Sequence, residues 1–377
     1  MYRRVEVEVK KSLAIFLSTI LTAGMLIGCS SKGTPSKDEG TKEAPTKETS
    51  ISKIGLGHIT SIGKSKDLGT DANGKEVLPM AQVDETIVAA AFDKDGKVTK
   101  VTIDVAQTKV DFDKELKLTS NKDEKVKTKL ELGEEYGMKK YSKIKKEWNE
   151  QIGELEKWMV GKTVDEIKSM KVKKRDEAHP AVPDEEELTS LVTISVEDYI
   201  AGLEKAYKNA VEVKEGAVKL GLGTEVSIGK SKGLGVDANG KEVLPMAQVD
   251  TTMAVTAFDK DGKVVDTIID TAQTQVKFDK QGKITTDKNG EFKTKIELGE
   301  EYGMKKASKI KKEWYEQISE LEKWMVGKTP DEIKSMKVKK RDNTHPAVPD
   351  EEELTSLVTI SVENYISAVV ESSQNAK

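Results

Sequence analysis

The chain of 377 residues holds one cysteine, Cys29, and three histidines, His58, His179 and His345. A lone thiol excludes an intrachain disulfide framework and every multi-cysteine zinc or iron–sulfur site, and three scattered imidazoles leave little for a histidine-based metal centre. Aromatic residues are scarce at 5%, and neither sign of charge dominates: 62 Lys and Arg stand against 66 Asp and Glu, a formal charge of −4. That balance excludes a strongly basic nucleic-acid binder. A polytopic membrane protein is excluded as well, because charged residues make up 34% of the chain and mean hydropathy is −0.54. No hydrophobic run reaches the roughly 20 residues of a bilayer span. The longest, Leu13 to Ile27, has 15 residues.

That run has the length of a signal-peptide core, and Arg3, Arg4, Lys10 and Lys11 precede it. It ends in Leu26-Ile27-Gly28-Cys29, which resembles a bacterial lipobox, in which the cysteine thiol takes a diacylglyceryl group. Residues 1–28 are therefore expected to be a lipoprotein signal peptide, Cys29 the lipid attachment point, and residues 29–50 a disordered tether. Ser30 to Ser50 contains no large apolar residue and has nothing with which to build a core. The expected location is the outer face of the cytoplasmic membrane, lipid-anchored and extracellular.

The remainder repeats itself. Residues 63–98 recur at 229–264 with 29 of 36 positions identical, and residues 137–176 recur at 303–342 with 36 of 40 identical. The offset is 166 throughout and needs no gap. This is a domain length rather than a solenoid period, so two tandem copies are expected, 51–210 and 220–377, each with its own core, joined by a linker at 211–219. Within each copy strands come first. Gln82 to Phe92 and Val98 to Ala106 flank Asp93-Lys94-Asp95-Gly96, a hairpin signal, and Asn73-Gly74 marks another turn.

Helices follow. Tyr141, Ile144, Trp148, Ile152, Leu155 and Trp158 predict an amphipathic helix over 138–159, stopped by Gly161. Thr163-Val164-Asp165-Glu166 is a capping box opening a short helix, and the second copy places Pro330 at its first position. Alternation over Leu188 to Val196 predicts a strand, with Ser195 capping a helix to about Ala210. The expected class is α+β: two tandem copies of an antiparallel sheet with packed helices.

The order of a hairpin with DKDGK, a helix ending in Gly161-Lys162-Thr163, a carboxylate-rich stretch and a Ser/Thr cluster resembles the FMN-binding domain family. It is most similar to the twin-domain extracellular electron-transfer lipoproteins of Gram-positive bacteria, some of whose signal peptides also yield peptide pheromones. In that family a Ser-Gly-Ala-Thr-x-Ser/Thr motif takes FMN covalently, a flavin transferase joining the FMN phosphate to the Thr hydroxyl with FAD as donor. Ser190-Leu191-Val192-Thr193-Ile194-Ser195 and Ser356-Leu357-Val358-Thr359-Ile360-Ser361 match it at the first, fourth and sixth places, with Leu-Val for Gly-Ala.

The resemblance thus implies Thr193 and Thr359 as FMN acceptors, with Ser190, Ser195, Ser356 and Ser361 beside them. It implies two covalent FMN per chain and a carrier rather than a turnover enzyme. The implied partners are a flavin transferase, a membrane dehydrogenase or the quinone pool as donor, and an external acceptor such as ferric iron. A flavin-free surface binding lipoprotein stays open as the alternative, as does a pheromone from Phe16 to Gly28.

Other residues carry weaker signals. His179 and His345 precede proline in both copies and could face a flavin, although a surface loop is the simpler reading. Trp148, Trp158, Trp314 and Trp324 have core spacing. Asp184 to Glu187 and Asp350 to Glu353 read as solvated edges. Gly55-Leu56-Gly57 and Gly221-Leu222-Gly223 lack the third glycine of a dinucleotide fingerprint.

Overall fold

The computed structural model describes residues 51–377, which belong to one unit. The expected signal peptide, Cys29 and the tether lie outside the described residues. The first half runs β1 (Lys53–Ser61), β2 (Gly69–Thr70), β3 (Glu76–Val77), β4 (Met80–Phe92), β5 (Val98–Asp111), α1 (Lys129–Leu132), α2 (Trp148–Met159), α3 (Val164–Lys168), β6 (Val172–Lys173), β7 (Val182–Pro183) and α4 (Glu197–Lys208). After β8 (Val211–Glu212) the same order returns. It runs β9 (Lys219–Ser227), β10 (Gly235–Val236), β11 (Glu242–Val243), β12 (Met246–Phe258), β13 (Val264–Lys277), α5 (Lys295–Leu298), α6 (Trp314–Met325), α7 (Pro330–Lys334), β14 (Val338–Lys339), β15 (Val348–Pro349) and α8 (Glu363–Gln374). The class is mixed α and β with antiparallel sheets.

Two antiparallel sheets carry the fold, ordered β5-β4-β1-β8 and β13-β12-β9. The Asp93–Gly96 turn joins β4 to β5 as expected. Asp93 Oδ1 accepts from the Asp95 and Lys97 amides, and Gly96 takes a φ of 77°. On one face of each sheet lies a helical layer. Trp148, Ile152, Leu155 and Met159 of α2 and Leu203 and Ala206 of α4 pack on Val88, Val101 and Ile103, and the second half repeats the arrangement with Trp314, Ile318 and Leu321.

The Gly-x-Gly pairs explain how α4 and α8 come so close. A Cβ on Gly57 would stand 1.8 Å from the carbonyl oxygen of Gly202, and one on Gly223 would stand 1.9 Å from that of Ala368. These glycines admit a helix backbone onto a strand backbone and belong to no nucleotide site.

The other faces of the two sheets pack on each other. Ile54, Leu56, Ile87 and Ala89 meet Leu220, Leu222, Met253 and Val255 in one shared cluster, while Val83, Val110 and Phe112 meet Val249, Val276 and Phe278 in another. Besides the clusters beneath the helical layers, two further cores are thus held jointly by residues of both halves. The seam relates positions 166 apart. The Phe112 and Phe278 rings lie 5.2 Å apart. The Leu68 amide donates to Gly282 O, and its counterpart Leu234 donates to Leu116 O. Such reciprocity is the mark of an isologous interface.

Three local expectations are corrected. The helix expected over 138–159 begins only at Trp148: Met138–Lys140 is a 3-10 turn, Lys145 has a φ of 54°, and Tyr141 is 88% exposed. Glu147 explains the late start. Its carboxylate is occupied by the Met138 and Lys139 amides, and it forms a capping box with Glu150.

The strand expected over 188–196 is a turn. Leu188 O accepts from the Leu191 and Val192 amides, and the segment joins no sheet. Its alternate residues are still buried (Leu188, Val192, Ile194 and Val196), which is the signal the alternation carried. Ser195 does not cap α4, whose N-cap is Val196 without a side-chain bond. Within 211–219, Val211 and Glu212 form β8, which pairs with β1 at Lys53 and Ile54.

Gly57→Ala is expected to lower unfolding stability by about 1–3 kcal/mol or more, measured by urea denaturation, because the obstacle is backbone and has no rotamer through which to yield. Gly153→Ala, where an added Cβ meets nothing within 4 Å, should be neutral or stabilising.

Candidate functional site

In each half the expected acceptor threonine sits in the turn between β7 and α4, or between β15 and α8, against the outer helical layer. The turn is held by one buried amide. Gln151 of α2 directs Oε1 at Thr193, accepting from the backbone amide at 2.9 Å and from the hydroxyl at 3.2 Å. Gln317 does the same for Thr359, at 2.8 and 3.3 Å. From its other end Gln151 Nε2 donates to Lys146 O, so one side chain ties two irregular segments to the helix. Arg175 Nη1 donates to Thr193 O at 2.6 Å, and Arg341 Nη1 to Thr359 O at 2.7 Å. The arginine Nε contacts Asp176 or Asp342.

The flanking serines divide into two kinds. Ser195 and Ser361 are half-buried, each accepting from a backbone amide, Ala181 at 3.2 Å and Ala347 at 3.3 Å. Ser190 and Ser356 are exposed. His179 lies in a surface turn with Nδ1 2.6 Å from Asp176, and His345 is 2.8 Å from Asp342. Asp176 is held down at about 2, first by its hydrogen bond from His179 and then by Arg175. Arginine, aspartate and histidine thus form a polar rim on the carbonyl side of each acceptor.

Trp148 is in the core and donates to the buried Tyr199 hydroxyl. Trp158 is half-buried beneath the Lys162 ammonium. The acidic run at 184–187 is an edge: Asp184 pairs with Lys173, and Glu185 accepts the Lys171 amide. Among the described residues no group of three or more His, Cys, Asp or Glu side chains is placed to hold a metal ion. No described helix is long and apolar enough to cross a membrane.

The chemistry of the donor set fits an ester at Thr193. Replacing the hydroxyl proton by phosphorus removes one of the two donors to Gln151 Oε1 and leaves the Thr193 amide on it, so no buried acceptor is orphaned. Two cavities of about 660 and 750 Å³ lie elsewhere, and neither is lined by Thr193 or Thr359.

Gln151 and Arg175 were not singled out from the sequence. A signal for the first was present: Gln151 is a polar residue on the apolar stripe between Trp148 and Leu155, repeated at Gln317. Comparison with protein-family models, with curated proteins and with solved structures finds no match to this chain.

The seam carries a second polar group. Glu85, 0% exposed, lies 3.3 Å from His58 Nε2 and accepts from the Thr251 hydroxyl. Thr251 is its own counterpart, 166 residues on. Nearby, Asp270 is raised to about 6 by burial, partly offset by bonds from Thr294, Ile296 and Thr271. Its counterpart Asp104 is also raised to about 6, again by burial first.

Gln151→Ala is expected to destabilise the protein by about 1–3 kcal/mol, since it strands a partly buried amide. Hydrogen exchange at Thr193 should rise with it. For Asp104 and Asp270 the folded state holds its proton more tightly than the unfolded chain. Their stabilisation is complete below about pH 4 and is lost as pH rises through about 6, at roughly 1.4 kcal/mol for each tenfold difference in proton affinity between the two states. Urea unfolding between pH 4 and pH 7 should show stability falling, and Asp270→Asn should flatten that slope.

Proposed function

We propose that this protein is a membrane-tethered extracellular flavoprotein built from two copies of one domain, carrying FMN on Thr193 and Thr359. It relays electrons from a membrane dehydrogenase or the quinone pool to an external acceptor such as ferric iron. The observation that supports this reading is the doubled turn. Both hydroxyls rest on a buried glutamine that keeps a second donor when the hydroxyl is esterified, and an arginine anchors the same peptide in both halves. Identical fixation of one threonine per half is what a transferase acting twice on a single chain requires.

In that step the threonine oxygen attacks the FMN-side phosphorus of FAD. The Oγ–P bond forms, the pyrophosphate P–O bond breaks, AMP leaves, and the hydroxyl proton passes to the transferase or to solvent. No electrons are exchanged. Bound FMN supplies one- and two-electron chemistry. This chain's residues fix the attachment point: Gln151 and Gln317 from beneath, Arg175 and Arg341 through the carbonyl. A lipid at Cys29 and a tether over 29–50 would hold both groups within reach of the membrane.

The second reading is a flavin-free binding lipoprotein. It is favoured by one observation, a cleft of about 660 Å³ at the seam that is lined by residues of both halves.

Co-expression with a flavin transferase is expected to give yellow protein heavier by two FMN phosphoesters. Thr193→Ser should keep the first adduct, and Thr193→Val with Thr359→Val should abolish both while leaving the circular dichroism spectrum unchanged. Colourless protein of unmodified mass under those conditions would remove the flavin reading.

A further inference from the structure

The seam has two flanks, related by the offset of 166, and they differ at three positions that matter here. On one flank Lys205 of α4 crosses to the second half. Its ammonium lies 2.6 Å from Glu297 Oε1 and donates to His58 O at 3.0 Å. On the other flank the residue corresponding to Glu297 is still a glutamate, Glu131, but the residue corresponding to Lys205 is Glu371. The lysine has become a carboxylate, and Ile59 has become Glu225. A cavity of about 660 Å³ opens there, lined by Glu131, Glu225 and Glu371, with Leu130, Ile366 and Val370 as its apolar wall.

Three lysines stand around this cleft. Lys125, an exposed residue, reaches Glu131 at 2.7 Å, Lys377 is bonded to Glu156, and Lys334 is exposed at the rim. Glu371 accepts the Thr224 amide. That bond shows that Thr224 faces away from β12, so its carbonyl, the counterpart of the one Lys205 satisfies, also points to the open edge of β9. Burial first, then the neighbouring Glu131 and Glu225, raise Glu371 to about 7, against the lowering effect of the Thr224 amide and Lys125.

A second, independent feature lies in the same wall. Thr102 lines this wall at 5% exposed, on the strand face it shares with Asp104, and its hydroxyl has no hydrogen-bond partner. A buried hydroxyl without a partner costs about 1–3 kcal/mol unless a ligand or water meets it. On the opposite flank the same position is Ile268, which packs into the shared core.

We propose that this cleft binds a primary alkylammonium group, with its charge between Glu225 and Glu371, its chain along Leu130, Ile366 and Val370, and the Thr102 hydroxyl as a further polar contact. Across the seam an ammonium is already held in the equivalent region: Lys205 rests on Glu297, the counterpart of Glu131, and on His58 O, the counterpart of Thr224 O. The shared chemistry admits a free aliphatic amine or a lysine side chain. The site is independent of flavin attachment.

The test is binding to the full chain, purified in detergent, followed by calorimetry and by thermal shift. The probes are n-pentylamine, acetyl-lysine amide and, as the uncharged control, pentanol. Saturable binding of either amine with pentanol inert is expected, and the tighter amine identifies the source. Glu371→Lys, which recreates the opposite flank, should weaken amine binding by at least about tenfold, as expected for losing one partner of a desolvated charge pair. It should also raise the melting temperature. Glu225→Gln, at a half-buried position with no capping duty, should weaken binding in the same direction without altering the fold. Absence of saturable binding by both amines at millimolar concentration, or undiminished binding in a folded Glu225→Gln protein, overturns the proposal.

Discussion

The two central strands, β4 and β12, are covered on both faces: a helical layer on one side and the opposing sheet on the other. Everything else in the molecule accommodates that double burial. It favours small or branched apolar residues where both faces are covered, which is why β4 contains the run Ala89-Ala90-Ala91. A polar group admitted to such a strand has to find its partner inside. Glu85 does so with His58 and with Thr251 from the other half. The glycines of β1 and β9 serve the same constraint from outside, letting α4 and α8 seat directly on the sheet. The candidate turn at Thr193 belongs to the outer helical layer and is bonded to α2 rather than to the seam.

The hairpin at Asp93–Gly96 and the capping box at Thr163 were legible because each depends on neighbours in sequence. The late start of α2 was not, because the periodicity of Tyr141 and Ile144 matches a helix that Glu147 prevents by capturing the Met138 and Lys139 amides. The turn at 188–196 misled for a related reason. Alternation reports which side chains are buried, and here the burial is reached by a chain that winds beneath α2 and gives its Thr193 amide to Gln151 rather than to a ladder. The shared cores were invisible to a domain-by-domain reading, since nothing local distinguishes an apolar face turned to solvent-excluding helices from one turned to a second sheet. Of the candidate site, the threonines could be named from a motif. Their glutamine and arginine supports could be found only by bringing together segments 42 and 18 residues away.

The pattern of identity between the repeats follows the same division. Residues 137–176 and 303–342, which form the outer layer and hold Gln151 and Arg175 or their counterparts, differ at 4 of 40 positions. The seam differs where charge and shape meet. Glu85 faces Thr251, Ile87 corresponds to Met253, and Lys205 corresponds to Glu371. The outer layers are thus nearly identical, and the surfaces that face each other across the seam differ in complementary ways.

That complementarity bears on how the chain avoids entanglement. Two nearly identical halves that pair isologously could in principle join first half to first half between molecules, and so concatenate into polymers. Because Glu85 meets position 251 across the seam, a first-to-first union would confront one dry carboxylate with another. A second-to-second union would lose the Lys205–Glu297 bridge. Only the mixed pairing satisfies both, and the short connector through β8 makes the mixed partner the one already in cis.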